Sequence, residues 1–236
     1  MLKFFRRIRR KLIDEGNLKR YLTYAIGEVL LVMFGILLAL QVNNWNERRK
    51  ENKQENAFYA GIKNDLIKDL NEIERIQKNS AFRLSYFKKI DPEFSLDSSI
   101  LSPVTDTTIN YGWLFTRGPS FQFSPGTYNS LISNGQSGLI RNKELFSQLQ
   151  HLYEVRQKRM SGTYESIISR EENLNWTRNW ERRYEPYKQF HDLKDSTLIA
   201  ELNYYFNKVR FYHGAMDKAK SEINYVLAEV ENELRK

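Results

Sequence analysis

The chain has 236 residues and a formal net charge of +8, with 37 Lys or Arg and 29 Asp or Glu. Residues 1–20 contain eight of the basic residues and two of the acids, which leaves 29 basic (37 minus 8) against 27 acidic (29 minus 2) over residues 21–236. Nucleic-acid binding needs clustered cations that face many phosphates. The only dense cluster precedes an apolar run, so we expect no nucleic-acid partner. The absence of cysteine excludes structural disulfides and a lipid-modified cysteine.

Residues 22–42 contain one formal charge, at Glu28. A run of this length fits the roughly 30 Å hydrocarbon layer of a bilayer, so it predicts a transmembrane helix over residues 21–45. Cleaved export signals have an apolar region of only about 7–15 residues and a small-residue cleavage site, so a retained anchor is favoured. The basic tail over residues 1–20 predicts a cytoplasmic amino terminus. In a bacterium, the bulk of the chain would then be periplasmic and the bilayer of the inner membrane would be its first partner.

Aromatic residues flank the apolar run at both ends. Tyr21 and Tyr24 lie at the inner boundary and Trp45 lies just past the outer one. Amphipathic rings favour the headgroup layer, so these three residues are predicted to mark the two membrane interfaces.

Small residues within the run indicate a surface for helix packing. Gly35 and Ala39 form a small-xxx-small step, and Gly27 lies two turns earlier. Glu28 either is an acid tolerated near the inner surface or pairs with a group on another membrane helix. Together the four residues are candidate contacts with a second membrane helix, in a homo-oligomer or in a complex with another protein.

Three motifs stand out in the first 50 residues: residues 4–9 (FFRRIR), 24–29 (YAIGEV) and 35–47 (GILLALQVNNWNE). With them the chain resembles the opening of a family of uncharacterised single-pass bacterial membrane proteins. A later block that begins at Thr127 and continues to Leu145 is similar to a second part of the same family. The resemblance implies the membrane location and the layout. Because the family's function is unknown, it supplies no catalytic residue.

Three later stretches have apolar residues at helical spacing. The first runs over residues 58–90 and stops before Pro92. The second follows Asn142, a good amino-terminal cap, and ends at Pro186. The third begins after Asp195 or Ser196 and continues nearly to the end of the chain. The first stripe consists of Phe58, Ile62, Leu66, Ile73 and Ile76, widened by Tyr59 and Leu70.

These stretches would form rods of about 50 to 60 Å at 1.5 Å per residue, and rods of similar length pack most simply as an antiparallel bundle. We therefore predict a mainly α fold, in which the transmembrane helix precedes an elongated antiparallel helical bundle. A polar stalk over residues 46–57 would lead to the extracytoplasmic domain over residues 58–236. If the rods run up, down and up, the aromatic and basic stretch from Trp176 to Tyr187 faces either the lipid surface or the bundle core.

Residues 91–141 do not have the pattern of a long helix. They predict a small irregular or β-containing cap at the distal end of the bundle, with β-branched and aromatic residues over 107–115. The aromatic side chains of this segment form either a lid over the bundle or a surface that recognises a partner. These residues are Tyr111, Trp113, Phe115, Phe121 and Phe123.

No catalytic constellation is evident in the sequence. The serine of the stretch 135–138 (GQSG) lacks the spacing of a nucleophile elbow, and His151 and His213 each have a single acid nearby on a helix. We therefore expect neither an enzyme nor a metal or cofactor. The sequence favours a membrane-anchored accessory or scaffold protein whose outer domain binds a protein or envelope partner. The alternative is a sensor-like ligand-binding subunit that signals through a partner membrane helix.

Overall fold

The computed structural model describes residues 18–102, 118–178 and 196–236. The chain divides into two compact units, Met1–Gln54 and Glu55–Lys236. Over the described residues the elements are α-helices with short 3-10 and π turns, and no strand occurs there. The prediction of a mainly α fold with a helical bundle is confirmed. The β-containing stretch predicted over residues 107–115 lies outside the described residues.

Helix α1 (Leu18–Ile90) supplies the described part of the first unit and the first helix of the second. It ends where the sequence predicts, because a residue that precedes proline is disfavoured in the α conformation. The Lys88 ammonium then donates to the carbonyl oxygens of Pro92, at 2.5 Å, and Phe94, at 2.6 Å. Both carbonyl groups lie beyond α1, so Lys88 holds the turn that follows the helix, and its positive charge is favourable at the helix carboxyl terminus.

The remaining elements all lie in the second unit. They are a 3-10 turn (Ser98–Ile100), α2 (Gly126–Ser133), a 3-10 turn (Gln136–Leu139), α3 (Lys143–Gln150), a π turn (His151–Arg156), α4 (Gln157–Arg178) and α5 (Ser196–Leu234). Asn142 caps α3 as predicted, since its side-chain oxygen accepts from the backbone N–H of Leu145 at 3.0 Å. The elements α3, π turn and α4 follow one another without a break and are called the α3–α4 rod.

Helix α5 runs antiparallel to α1 in the second unit. Lys63 forms an ion pair with Glu231 at 2.8 Å, and the Ser80 hydroxyl lies 2.8 Å from the Nδ1 atom of His213. A residue farther along α1 therefore contacts a residue earlier in α5. Arg156 pairs with Glu222, whereas Glu171, farther along the rod, lies near Tyr205, earlier in α5, so α5 is also antiparallel to the α3–α4 rod.

The α3–α4 rod is parallel to α1. Arg141, just before the rod, pairs with Glu55 at 3.0 Å, and Tyr164 farther along the rod lines a small cavity with Ile76. The rods therefore do not run up, down and up. Glu171, near the end of the described side chains of α4, lies 3.5 Å from the Tyr205 hydroxyl, at the end of the unit opposite to Glu55.

This order contradicts the up, down and up arrangement on which the prediction for the stretch from Trp176 to Tyr187 rests. The turn near Pro186 and the side chains over residues 173–195 lie outside the described residues.

Residues 118–141, called the strap, bring the chain back along the bundle. Gly118 lies over the Arg83 side chain, whereas Arg141 reaches Glu55, so the second half of the predicted cap follows α1 over much of its length in the second unit. The strap approaches α1 closely at Gly61, where an added Cβ would meet the Thr127 Cγ2 atom at 2.8 Å. A side chain larger than hydrogen at this position would push the strap away.

The core of the second unit is continuous and combines residues from all three helical rods and the strap. Each fully buried Val, Leu, Ile, Phe or Met side chain stabilises the fold by about 1.5–3 kcal/mol. At one level of the core Phe87 of α1 stacks on Phe206 of α5 with 4.2 Å between ring centroids. Buried members of the core with no more than 1% exposure include Tyr59, Ile62, Leu66, Ile73, Leu84, Phe94, Phe121, Ile140, Leu145, Leu149, Leu152, Met160, Leu202, Tyr205, Met216, Ile223 and Val230.

Candidate functional site

The apolar run of α1 is exposed on every side of the helix. Its large apolar side chains over residues 22–42 are between 43 and 69% exposed, and none is buried within the first unit. Monomeric soluble proteins rarely leave contiguous apolar patches of this extent uncovered. Among the described residues, this is the one helix long and apolar enough to cross a membrane.

The four residues predicted to contact another membrane helix lie on this exposed part of α1. A Cβ added at Gly27 or Gly35 would meet no atom within 4 Å. At about 100° per residue, Glu28, Gly35 and Ala39 fall within about 40° of one another, so they share a face. The face therefore has room for the close approach of another backbone.

The predicted interface residues lie at the two ends of the apolar run. Tyr24 and Trp45 are 60% and 65% exposed, as rings in a headgroup layer would be. The side chain of Tyr21 lies outside the described residues.

Phe121 and Phe123, which the sequence offered as part of a partner surface, lie in the core. They are 1% and 5% exposed. The centroids of their rings are 4.8 Å apart, and the centroid of the Phe123 ring lies 5.8 Å from that of Tyr153. The backbone N–H of Phe121 donates to the Tyr212 hydroxyl at 2.7 Å. The partner-surface interpretation is therefore wrong for these two residues. Tyr111, Trp113 and Phe115 lie outside the described residues.

Two carboxylates of α1 hold the start of α2. Asp69 accepts from the Ser124 backbone N–H at 2.9 Å, and Asp65 accepts from that of Thr127 at 3.1 Å. Helix α2 begins after Pro125, which makes no side-chain cap. The first N–H groups of a helix have no partner within it, and they carry partial positive charge. Asp65 therefore caps α2, and Asp69 holds the residue that precedes Pro125, both from a helix more than 50 residues away.

A third carboxylate holds the far end of the strap. Glu55 accepts from the Arg141 backbone N–H at 2.8 Å and pairs with the Arg141 guanidinium at 3.0 Å. The Tyr59 hydroxyl donates to the same carboxylate at 3.4 Å. Together the three acids bind the strap to α1 at its middle and at its end.

Burial perturbs the groups around this contact. Asp69 is 1% exposed, and desolvation raises its pKa from 3.8 to about 6, although the hydrogen bonds from Ser124 act in the opposite direction. Desolvation also raises the pKa of the Tyr153 hydroxyl, and the nearby charges of Asp69 and Asp65 raise it further. Perturbed pKa values occur both at catalytic sites and in structural networks. Here the carboxylates contact backbone N–H groups, which is a structural role.

A second buried polar cluster joins all three rods. Arg83 of α1 donates to the Tyr205 hydroxyl of α5 at 3.0 Å, and that hydroxyl lies 3.5 Å from the carboxylate of Glu171 on α4. The cluster borders a cavity of about 20 Å³, which has room for one water molecule. Arg83 and Glu171 are 4% and 5% exposed, so both are removed from solvent.

The histidines of the described residues do not assemble a metal site. His151 is exposed, whereas His213 is buried against the Ser80 hydroxyl. Burial lowers the pKa of His213, and the charge of Asp217 opposes this effect. Over residues 18–102, 118–178 and 196–236, no three His, Cys, Asp or Glu side chains lie together in a way that could hold a metal ion.

Fold and surface together define a helical-bundle protein with one helix apolar enough to cross a membrane. A family model described as a family of unknown function (DUF6090) matches residues 28–160. The match spans more than half of the chain, so this protein belongs to that family, and the resemblance to an uncharacterised family is confirmed. No curated protein and no solved structure matches the chain.

Proposed function

We propose that this protein is a single-pass membrane protein whose helical bundle acts as an accessory or scaffold subunit, binding a protein or envelope component. Residues 22–42 of α1 cross the bilayer and residues 1–20 lie in the cytoplasm. The second unit, Glu55–Lys236, lies on the opposite side, which is the periplasm in a bacterium.

The observation that supports this proposal most directly is the exposure of the apolar run all around α1. Lipid would cover a surface that is apolar on every side, whereas a partner helix would cover one face only. The eight cations within residues 1–20 fit the positive-inside rule for the cytoplasmic flank.

Buried charges of the second unit support a binding role over a chemical one. Glu55, Asp65 and Asp69 hold the strap, and Arg83 with Glu171 joins the rods through Tyr205. Each of these groups already has a contact that stabilises the bundle. The surface of the unit is therefore the part available for a partner.

Labelling of single introduced cysteines tests the membrane topology, because the native chain contains no cysteine. In spheroplasts of a bacterial host, we expect Lys143→Cys to react with a membrane-impermeant maleimide. Lys3→Cys should react only after permeabilisation. The side chain of Lys143 is exposed at the start of α3, so detergent-solubilised protein should label fully and serves as the control.

The reverse pattern of labelling, or protection of Lys143→Cys in spheroplasts, would contradict the proposed topology. Mass spectrometry of the purified protein adds an independent check. Mature protein that lacks residues 1–42 would show that the run is removed after export.

A photo-crosslinking residue in the membrane helix tests for a protein partner. We expect a crosslinker at Gly35 to capture a second polypeptide in cells, because small residues let helix backbones approach closely. The matched control is Met33, which lies about 160° away from Gly35 around the helix. Equal capture from both positions would contradict a specific contact face. The mass of the product distinguishes a second copy of this chain from a different protein.

A further inference from the structure

Several cationic side chains line a groove between α4 and α5. Its volume is about 580 Å³, and it is lined by Arg156 and Arg159 of α4 and by Arg210 and Lys218 of α5. Among the described residues that line it there is no carboxylate. The volume falls within the range of about 300–1,000 Å³ that is usual for small-molecule sites.

Two of these cations are held in place by neighbouring groups. The Arg156 guanidinium donates to the carboxylate of Glu222, with 2.8 Å between Nε and Oε2. The Arg210 guanidinium donates to the Ser95 carbonyl and lies 5.6 Å from the centre of the Phe94 ring. The ion pair with Glu222 balances the charge of Arg156, whereas Arg210 holds its positive charge at the α5 wall of the groove.

The other two cations have their charge available. Arg159 and Lys218 are exposed, and within residues 18–102, 118–178 and 196–236 neither side chain has an ion-pair partner. A planar guanidinium and a flexible ammonium on opposite walls suit the oxygen atoms of a phosphate group.

The floor of the groove is open down to the helix backbone. A Cβ added at Gly214 would meet no atom within 4 Å, although glycine inside a helix costs about 0.8–1.0 kcal/mol relative to alanine. Phe211, one turn earlier, is 68% exposed and also lines the groove. The groove therefore combines cationic walls with an apolar ring and an unobstructed floor.

We propose that this groove binds an organic phosphate, whose phosphate group contacts Arg159 and Lys218 and whose apolar part lies against Phe211. All the residues involved belong to the second unit, so this inference does not depend on the proposed membrane topology. A phosphate group joined to an apolar group is the chemistry that a phospholipid presents. Free phosphate has no apolar part to place against Phe211.

Titration of the full chain in a neutral detergent with hexyl phosphate, inorganic phosphate and hexanol tests this proposal. We expect isothermal titration calorimetry to show one hexyl phosphate bound per chain. Inorganic phosphate should bind at least about tenfold more weakly because it lacks the apolar contact. Hexanol, which lacks the charge, should not bind. Equal affinity for hexyl phosphate and inorganic phosphate would show that Phe211 takes no part and would overturn the assignment of an organic phosphate.

Variants separate the groove from general attraction of anions to a basic protein. The double variant Arg159→Gln/Lys218→Gln should weaken binding by roughly tenfold per cation removed, as charge-assisted hydrogen bonds are lost. Gly214→Leu changes no charge but fills the floor, and it should weaken binding by a similar factor. The matched control is Lys143→Gln/Lys158→Gln, which removes two exposed cations outside the groove and should leave the affinity unchanged.

An unchanged thermal midpoint in each variant shows that the loss of binding is local. The proposal is overturned if the control pair weakens binding as much as the groove pair, or if Gly214→Leu binds hexyl phosphate as the unmodified chain does.

Discussion

Replacement of Arg83 by methionine is expected to lower the free energy of unfolding of the second unit by about 1.5–3 kcal/mol. The variant removes the cation that donates to the Tyr205 hydroxyl, and Tyr205 is fully buried. Loss of a hydrogen bond from a charged donor is costly where water cannot replace it. The measurement is urea unfolding of the full chain in mild detergent, followed through side-chain fluorescence.

A further variant tests whether the cost comes from burial of the Arg83 contact. Arg75→Met breaks an exposed ion pair with Glu72 and should change the stability by less than about 1 kcal/mol. An Arg83→Met variant that is as stable as Arg75→Met would contradict this account.

Replacement of Asp69 by asparagine is expected to change how the stability of the second unit depends on pH. The pKa of Asp69 is about 6 in the folded chain and close to 3.8 without burial. Between these values the folded state binds more protons than the unfolded state, so stability falls as pH rises from about 4 to about 6. The difference between these two pKa values corresponds to about 3 kcal/mol of folding stability.

The readout is the difference in unfolding free energy between the unmodified chain and Asp69→Asn, measured from pH 4 to pH 7. As pH rises, the unfolding free energy of the unmodified chain should fall by about 3 kcal/mol relative to that of Asp69→Asn. At higher pH the difference should remain constant. His213 contributes with the opposite sign, because its lowered pKa reduces stability as pH falls. It is present in both proteins and therefore cancels.

Asp97 provides the control for this measurement. Hydrogen bonds from Ser99 lower the pKa of the exposed Asp97 carboxyl, so Asp97→Asn should give a small pH dependence of opposite sign. A pH-independent difference for Asp69→Asn would mean that the pKa of Asp69 in the folded chain is not raised above 3.8, contrary to its burial.

Local patterns predicted the helices well because each depends on residues close in the chain. The stripe Phe58, Ile62, Leu66, Ile73 and Ile76 is buried in α1, and α1 ends before Pro92. Asn142 caps α3 through a hydrogen bond that spans three residues. The second rod differs in detail, since a π turn over His151–Arg156 interrupts it and lets the adjacent Leu152 and Tyr153 both reach the core.

The chain path could not be predicted from such patterns. The strap is fixed by contacts such as Asp69 with Ser124 and Glu55 with Arg141, which join residues 55 and 86 positions apart. One local signal did point to them. Asp69 lies about 20° from Ile62 around the helix, in the middle of the apolar stripe, where a carboxylate needs a partner. Which group pairs with Asp69 depends on the path of the chain, and a local pattern does not contain that path.

Aromatic content alone did not distinguish a recognition surface from a core. Phe121 and Phe123 lie in a segment without helical periodicity, so no pattern assigns them to a buried or an exposed face. The structure buries both because the strap is held along α1 by the carboxylates and brings the two rings against Tyr153. The groove between α4 and α5 was missed for a related reason, since its cations come from helices about 60 residues apart.

The antiparallel return of α5 has a consequence for biosynthesis. Its final turns complete the unit beside the beginning of the bundle, where Glu231 contacts Lys63 and Glu233 contacts Asn142. At a translation rate of about 5–20 residues per second, the interval between Phe58 and Val230 is roughly 10–30 s. During that time the part of the first rod that α5 covers in the folded unit stays exposed, so the nascent chain is open to aggregation until α5 has been made.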